Sequence, residues 1–284
     1  MIADPASLVS TEWLANNIGD PDIRIIDGSW FLPSAGRSGR DEYAAGHIPG
    51  AVFFDVDENS DRASPLPHML PEPKQFADAV GAMGIAADNR IVVYDGAGLF
   101  SAARVWWHFG TMGAARVAVL DGGLPKWREE GRAITTEIPN HKPVGFQPRH
   151  DKQAVADLDQ IRSAMASKEF QVVDARAAPR FRGEAPEVRP GVRSGHIPGS
   201  YNLPFGEILT DGVMNSPSDI RQAFERAGLD LGRPIVTSCG SGVTAAVLNL
   251  ALDQLGIRPA GLYDGSWTEW GSHSETEVAT GTDR

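Results

Sequence analysis

Cys239 is the single cysteine among 284 residues, and its surroundings suit nucleophilic chemistry. It follows the run PIVTS, opens the segment CGSGVTA and leads into the apolar stretch AAVLNLALDQLG. That pattern reads as a buried strand, a tight loop and a helix. The sulfur then stands at the carboxyl end of a strand, where ligands of parallel sheets bind. Backbone N–H groups of such a loop can point inward, and the helix N-terminus adds partial positive charge. Both favour a thiolate over a thiol. Gly240 and Gly242 allow the loop to curl closely around the sulfur. The bland alternative is a small buried hydrophobe, the usual role of an isolated cysteine. One cysteine excludes an intramolecular disulfide and a multi-cysteine metal site. The seven histidines form neither H-x3-H nor H-E-x-x-H, so no metal or other cofactor is expected.

Two other chemistries share parts of this pattern. GSGVTA fits the dinucleotide form G-x-G-x-x-A, with Asp264 downstream. Such a fingerprint normally opens its domain, whereas this loop lies late in the second half. A cysteine phosphatase carries C-x5-R, but Ala245 stands six residues after Cys239 and the next arginine is Arg258. A phosphate there lacks its guanidinium clamp.

The elements that must position Cys239 occur twice. AGHIPGAVFFDVD (45–57) matches SGHIPGSYNLPFG (194–206), and RIIDGSW (24–30) matches VVDARA (172–177). IVVYDGAGLFSAA (91–103) matches IVTSCGSGVTAAV (235–247), and LDGGLPKW (120–127) matches YDGSWTEW (263–270). Four blocks in the same order at nearly constant offset make a duplicated domain. Short buried strands are expected at 23–26, 90–94 and 115–120, and again at 171–173, 234–237 and 260–263. Helical patterns fill 73–84 and 101–113, then 154–167, 218–228 and 243–256. The alternation gives an α/β fold with a mostly parallel sheet in each half. The halves are placed at 1–130 and 153–284, joined by a Pro-rich polar linker, 131–152. Asp95 holds the place of Cys239 in the first half, so one domain carries the chemistry and the other frames it. Features kept in both halves, such as His47 and His196 in the GHIPG turns and the Asp27/Asp174 pair, read as architectural.

Composition narrows the partners. Apolar residues make up 42% and charged residues 22%, as in ordinary globular chains, and the net charge is −11. An acidic surface repels phosphate backbones, so nucleic acid is not an expected partner, and an anionic substrate needs its own local arginines. No apolar run reaches the length that spans a bilayer, so no membrane role is expected. The N-terminus lacks a basic n-region and long apolar core, and a cytoplasmic protein is expected. The polar tail after His273, SETEVATGTDR, reads as disordered.

Tandem α/β halves, GHIPG turns and CGSGVTA together resemble the rhodanese superfamily, and more narrowly its 3-mercaptopyruvate sulfurtransferases. FFDVDENSDRASPLPHMLP (53–71) and RFRGEAPEVRPG (180–191) match in order as well, so the resemblance runs from about residue 5 to 275. It implies two tandem rhodanese-like domains, each a mostly parallel sheet flanked by helices. It also implies transfer of the sulfur of 3-mercaptopyruvate to Cys239 as a persulfide, with release of pyruvate. An acceptor such as thioredoxin, a small thiol or cyanide then removes the sulfur. The loop Gly240, Ser241, Gly242, Val243 and Thr244 would surround the sulfur, and Arg180 and Arg189 would clamp the substrate carboxylate with their planar forks. Arg40 holds the place of Arg189 in the first half, and on the residues alone both arginines also read as surface charges. The resemblance assigns Ser241, His68 and Asp57 to a relay in which Asp57 orients His68 and His68 pairs with Ser241. Because these residues come from both halves, a site between the domains is expected.

The thiosulfate-specific sister enzymes resemble CRKGVT, with cations where this chain has Gly240 and Ser241. A dianion finds less compensation at the neutral pair. Thiosulfate transfer is the alternative within the enzyme class, and a non-catalytic sulfur-carrier or binding module is the alternative outside it.

Overall fold

Two sets of short β-branched strands, each bounded by turn residues, build two sheets. The computed structural model describes residues 7–282. The chain divides into two compact units. One takes the chain up to Arg62, then Leu70–Asp151 and Asp211–Met214; the other takes Ala63–Met69, Lys152–Thr210 and the chain from Asn215 onward.

The first half runs β1 (Leu8–Val9), α1 (Thr11–Asn17), β2 (Ile23–Asp27), α2 (Gly39–Ala45), β3 (Ala51–Phe53), α3 (Pro73–Ala82), β4 (Arg90–Tyr94), α4 (Ala102–Thr111), β5 (Arg116–Leu120) and α5 (Gly123–Glu129). Its strands form one parallel sheet in the order β1-β5-β4-β2-β3. The second half runs β6 (Val155–Ala156), α6 (Leu158–Ser167), β7 (Gln171–Asp174), α7 (Ala178–Phe181), β8 (Tyr201–Asn202), β9 (Leu209–Thr210), β10 (Val213–Met214), α8 (Pro217–Arg226), β11 (Ile235–Ser238), α9 (Ala245–Gln254), β12 (Gly261–Tyr263) and α10 (Ser266–Ser272). Its main sheet is parallel too, in the order β6-β12-β11-β7-β8. The repeat in the sequence is therefore a repeat of topology.

The central strands β4 and β11 are covered on both faces, which is why they read as continuous apolar runs rather than alternating ones. Helices start where short polar side chains can accept from the first turn: Ser10, Ser38, Asp157 and Ser216 all do so. Asp157 and Gln160 complete a capping box, which places the start of α6 at Leu158. The helical pattern expected from 154 therefore begins later, and Val155–Ala156 instead adds an edge strand to β12.

The two GHIPG histidines do matching structural work. His47 and His196 are fully buried. Each stacks on an aromatic ring, Tyr43 or Phe181, and hydrogen-bonds through Nδ1 to that residue's carbonyl. Each also pairs its backbone with a returning segment, His47 with Thr135 and His196 with Ala279. The indoles of Trp127 and Trp270 pin the same segments by donating to the carbonyls of Ala133 and Glu277.

These contacts correct one expectation and refine another. The polar tail is ordered through the described residues: Thr276 is buried, Ala279 pairs with His196, and Gly281 donates to the Arg182 carbonyl. It is the second half's counterpart of the chain around Thr135. The segment expected as a linker lies along the first unit up to Asp151, where Val144 donates to Gly81, Arg149 to Met112 and Asp151 to Thr111. No helix among the described residues is long and apolar enough to cross a membrane.

Candidate active site

Cys239 stands one residue past β11 and is buried. The strand end is fixed by β7, since Ser238 sits opposite Asp174 and its carbonyl accepts from Ala175. The first turn of α10 fixes the loop from its other side. Ser266 Oγ accepts from the Cys239 N–H at 3.2 Å and donates to the Tyr263 carbonyl. The Trp267 N–H donates to the Cys239 carbonyl at 2.9 Å, and Thr268 donates to the Gly240 carbonyl through both N–H and hydroxyl. Ser266 achieves this with φ +50°, a left-handed conformation that costs a non-glycine residue energy and is retained where surrounding structure enforces it. In the first half the same place is Gly123, where a Cβ would lie 2.5 Å from the Asp95 and Gly98 carbonyl oxygens.

The first unit displays what this kind of loop does with an anion. The Asp95 carboxylate, fully buried after β4, accepts from the N–H groups of Ala97, Phe100 and Ala102 at 2.8 Å each. Burial raises its pKa, and these amide bonds oppose that rise. The corresponding positions after Cys239 are Ser241, Thr244 and Ala246. Gly242 at φ +78° and Gly98 at φ +112° make the equivalent turns. Val243 is buried, and Thr244 immediately precedes α9.

Ser241 is buried, and its Oγ is hydrogen-bonded to His68 Nδ1 at 2.9 Å, with the donor set by the histidine tautomer. His68 is itself buried and holds φ +60°. Although it comes from the first half of the sequence, its segment, Ala63–Met69, belongs to the second compact unit. Asp57 lies in the first unit, where its Oδ2 accepts from the Trp30 indole at 3.0 Å.

Of the two expected clamp residues, Arg180 stands over the loop. A Cβ on Gly240 would come within 3.2 Å of its Nη2. That nitrogen also donates to Glu187, while Nε is buried with no partner among the described residues. Arg189 lies two residues beyond Glu187 and is half-buried. Its first-half counterpart Arg40 is spent on Asp55 and Glu58.

Several contributors were not singled out in the sequence: Ser266, Thr268, Glu187 and Arg176. Ser266 and Arg176 differ between the halves, standing against Gly123 and Ser29, and that difference was a usable signal. Glu187 looked like one charge among many. Among the described residues no group of His, Cys, Asp or Glu could hold a metal ion.

A buried cysteine after a central strand, in a loop whose twin cradles a carboxylate, is equipped to carry an anionic sulfur. The Rhodanese-like domain model matches residues 10–130 and again residues 157–273. The chain belongs to the rhodanese family. Among rhodanese relatives it is 42% identical over 278 residues to the 3-mercaptopyruvate sulfurtransferase of Rattus norvegicus, covering 95% of this chain and 94% of the relative. It is also 42% identical over 285 residues to the thiosulfate sulfurtransferase of Cricetulus griseus, covering 97% and 96%. The rhodanese fold of SseA from Escherichia coli, described as a 3-mercaptopyruvate sulfotransferase, superposes with a TM-score of 0.85 at 40% identity, covering 93% of this chain and 99% of that one. Overall similarity to the two activities is alike, so the choice between them falls to the residues of the loop.

Proposed function

We propose that this chain is a sulfurtransferase that takes the sulfur of 3-mercaptopyruvate onto Cys239 and passes it to a thiol or cyanide. The observation that carries the choice of donor is the neutral pair Gly240–Ser241, with the Ser241 hydroxyl bonded to His68. A dianion such as thiosulfate calls for cations at those positions. A keto acid needs a hydroxyl near its ketone oxygen and one guanidinium for its carboxylate. Ser241 and Arg180 supply these.

The Cys239 thiolate attacks the thiol sulfur of the donor. The new S–S bond forms as the carbon–sulfur bond breaks, and the electron pair leaves as the enolate of pyruvate, which then takes a proton at carbon. The Ser241 hydroxyl stabilises charge developing on the ketone oxygen, and His68 holds that hydroxyl in place. Asp57 is assigned to orient His68, as in the relay the family resemblance implies. The loop amides from Ser241 to Ala246 hold the persulfide sulfur as those of the first unit hold Asp95. Arg180 and Arg189 bind the donor carboxylate. In the second half-reaction an acceptor thiolate attacks the outer sulfur, the S–S bond breaks and the Cys239 thiolate returns; cyanide leaves as thiocyanate.

The test is intact mass after brief exposure to 3-mercaptopyruvate, beside a Cys239→Ser control. The expected result is one added sulfur atom in the wild type alone, with pyruvate released. An adduct from thiosulfate but none from 3-mercaptopyruvate transfers the chain to the sister activity, and no adduct from either leaves a binding module.

A further inference from the structure

The guanidinium of Arg176 is 1% exposed, and each of its nitrogens is hydrogen-bonded. Its Nε donates to both oxygens of Asp174, its Nη2 to Asp174 and to the Gly195 carbonyl, and its Nη1 to Glu187 at 2.7 Å. The same group lies 4.6 Å over the Trp267 ring, and the Trp267 N–H holds the Cys239 carbonyl. Glu187, buried as well, gives its other oxygen to Arg180 Nη2. Asp174, Arg176, Glu187 and Arg180 thus form a chain of alternating charge that runs from the end of β7 to the guanidinium above Gly240.

We propose that Arg176 is a positioning residue for the sulfur donor: by engaging one oxygen of Glu187, it fixes where Arg180 stands and leaves Arg180 charge to spare for an incoming carboxylate. The inference rests on the reading in which Arg180 binds the donor carboxylate. Without Arg176, the buried Glu187 carboxylate loses the cation on its Oε1, and more of its charge falls to Arg180. The duplication supplies an independent observation. The first half keeps the buried aspartate, Asp27, but has Ser29 where the second has Arg176, and there the long side chain reaching the aspartate is Tyr94. The architecture of the repeat therefore does not require an arginine at this position. It occurs in the half that also has Cys239 and Arg180.

The test compares alkylation of Cys239 by iodoacetate and by iodoacetamide in the full chain. These probes are nearly the same size, but one carries a carboxylate. In the wild type, iodoacetate gains from Arg180, and Arg180→Gln sets the ratio without that gain. Arg176→Lys keeps the charge but lacks the planar fork that spans Asp174, Glu187 and the Gly195 carbonyl at once, so the ratio is expected to fall most of the way to the Arg180→Gln value. KM for 3-mercaptopyruvate is expected to rise roughly tenfold with kcat little changed, within the range that a misplacement of about 1 Å can produce. Glu187→Gln, checked by thermal melting, removes the carboxylate through which Arg176 acts on Arg180 and carries the test if Arg176→Lys does not fold, its ratio being expected to depart from the wild-type value. A wild-type ratio in Arg176→Lys and Glu187→Gln, with a lowered one in Arg180→Gln, overturns the proposal alone. An equal slowing of both reagents does so too, because it marks a structural role. If Arg180→Gln keeps the wild-type ratio, the carboxylate role of Arg180 falls and takes this proposal with it.

Discussion

Ser241 offers a hydroxyl where a dianionic donor needs a cation, and it is the residue whose replacement separates the two donors. Ser241→Ala removes one donor to the developing enolate, and loss of such a group typically costs on the order of a hundredfold in kcat. Steady-state turnover of 3-mercaptopyruvate, with persulfide formation followed by mass, checks this. Ser241→Lys is expected to lower that turnover and raise turnover of thiosulfate. Unchanged donor preference in Ser241→Lys defeats the charge account. At this scale Cys239 was legible from its place between strand and helix, and Ser241 only through the family resemblance, which supplied the contrast with a cationic loop. His68 was not: its role depends on a loop from the other half of the sequence reaching Ser241, and only the family resemblance pointed there. Arg176 was marked only by its contrast with Ser29 in the first half, since a buried arginine otherwise reads as a surface charge until its partners are seen.

Among the elements, the main strands and helices were legible because each central strand is buried on both faces and the long helices carry apolar runs, with side-chain caps at α6 and α8. Edge strands such as β1, β6 and β8 were not, since two residues give no period to detect. The tail was misjudged for a related reason. Its sequence is polar, but its order comes from backbone pairing with His196 and from the Trp270 indole, neither of which leaves a mark on composition. Truncation after His273 removes the Ala279 pairing, the Trp270 acceptor and Thr276, whose hydroxyl accepts from Arg193 and donates to the Trp270 carbonyl. Each net hydrogen bond is worth about 1 kcal/mol. The truncated chain is therefore expected to lose a few kcal/mol of stability in its second unit, read as a lower denaturant midpoint. An unchanged midpoint means the tail contacts contribute nothing.

Across the whole molecule, the two halves solve the same problem of a buried aspartate in different ways, and that difference sets a pH dependence. Asp174 has the Arg176 cation. Asp27 has only the hydrogen bonds of Ser29 and Tyr94, so burial, with the nearby Asp95 charge adding, pushes its pKa up to about 6. A carboxyl with a folded pKa above its unfolded value favours the protonated folded state. Its contribution is fully present below the unfolded pKa near 4 and is lost as pH rises through about 6. For a group this buried the loss is on the order of 2–3 kcal/mol. Stability of the wild type relative to Asp27→Asn is expected to fall by that order between pH 4 and 7.5, measured by denaturant unfolding at each pH. A pH-independent difference refutes the assignment.

That same exchange of side chains around the repeated aspartate makes each half an interlocking set. The first half reaches its aspartate with Tyr94 and keeps Ser29 small; the second reaches its own with Arg176 and keeps Ser238 small. Placing a cysteine at position 95 alone would leave that half without an arginine at position 29 and a glutamate to pair with it. Adding the arginine first would bury a cation beside Tyr94, near Asp27 and Asp95 but without the glutamate that Arg176 has. A buried charge without its full set of partners is costly, so neither single step reproduces the arrangement of the other half. Converting one half's arrangement into the other's therefore takes coordinated replacements at several positions rather than one.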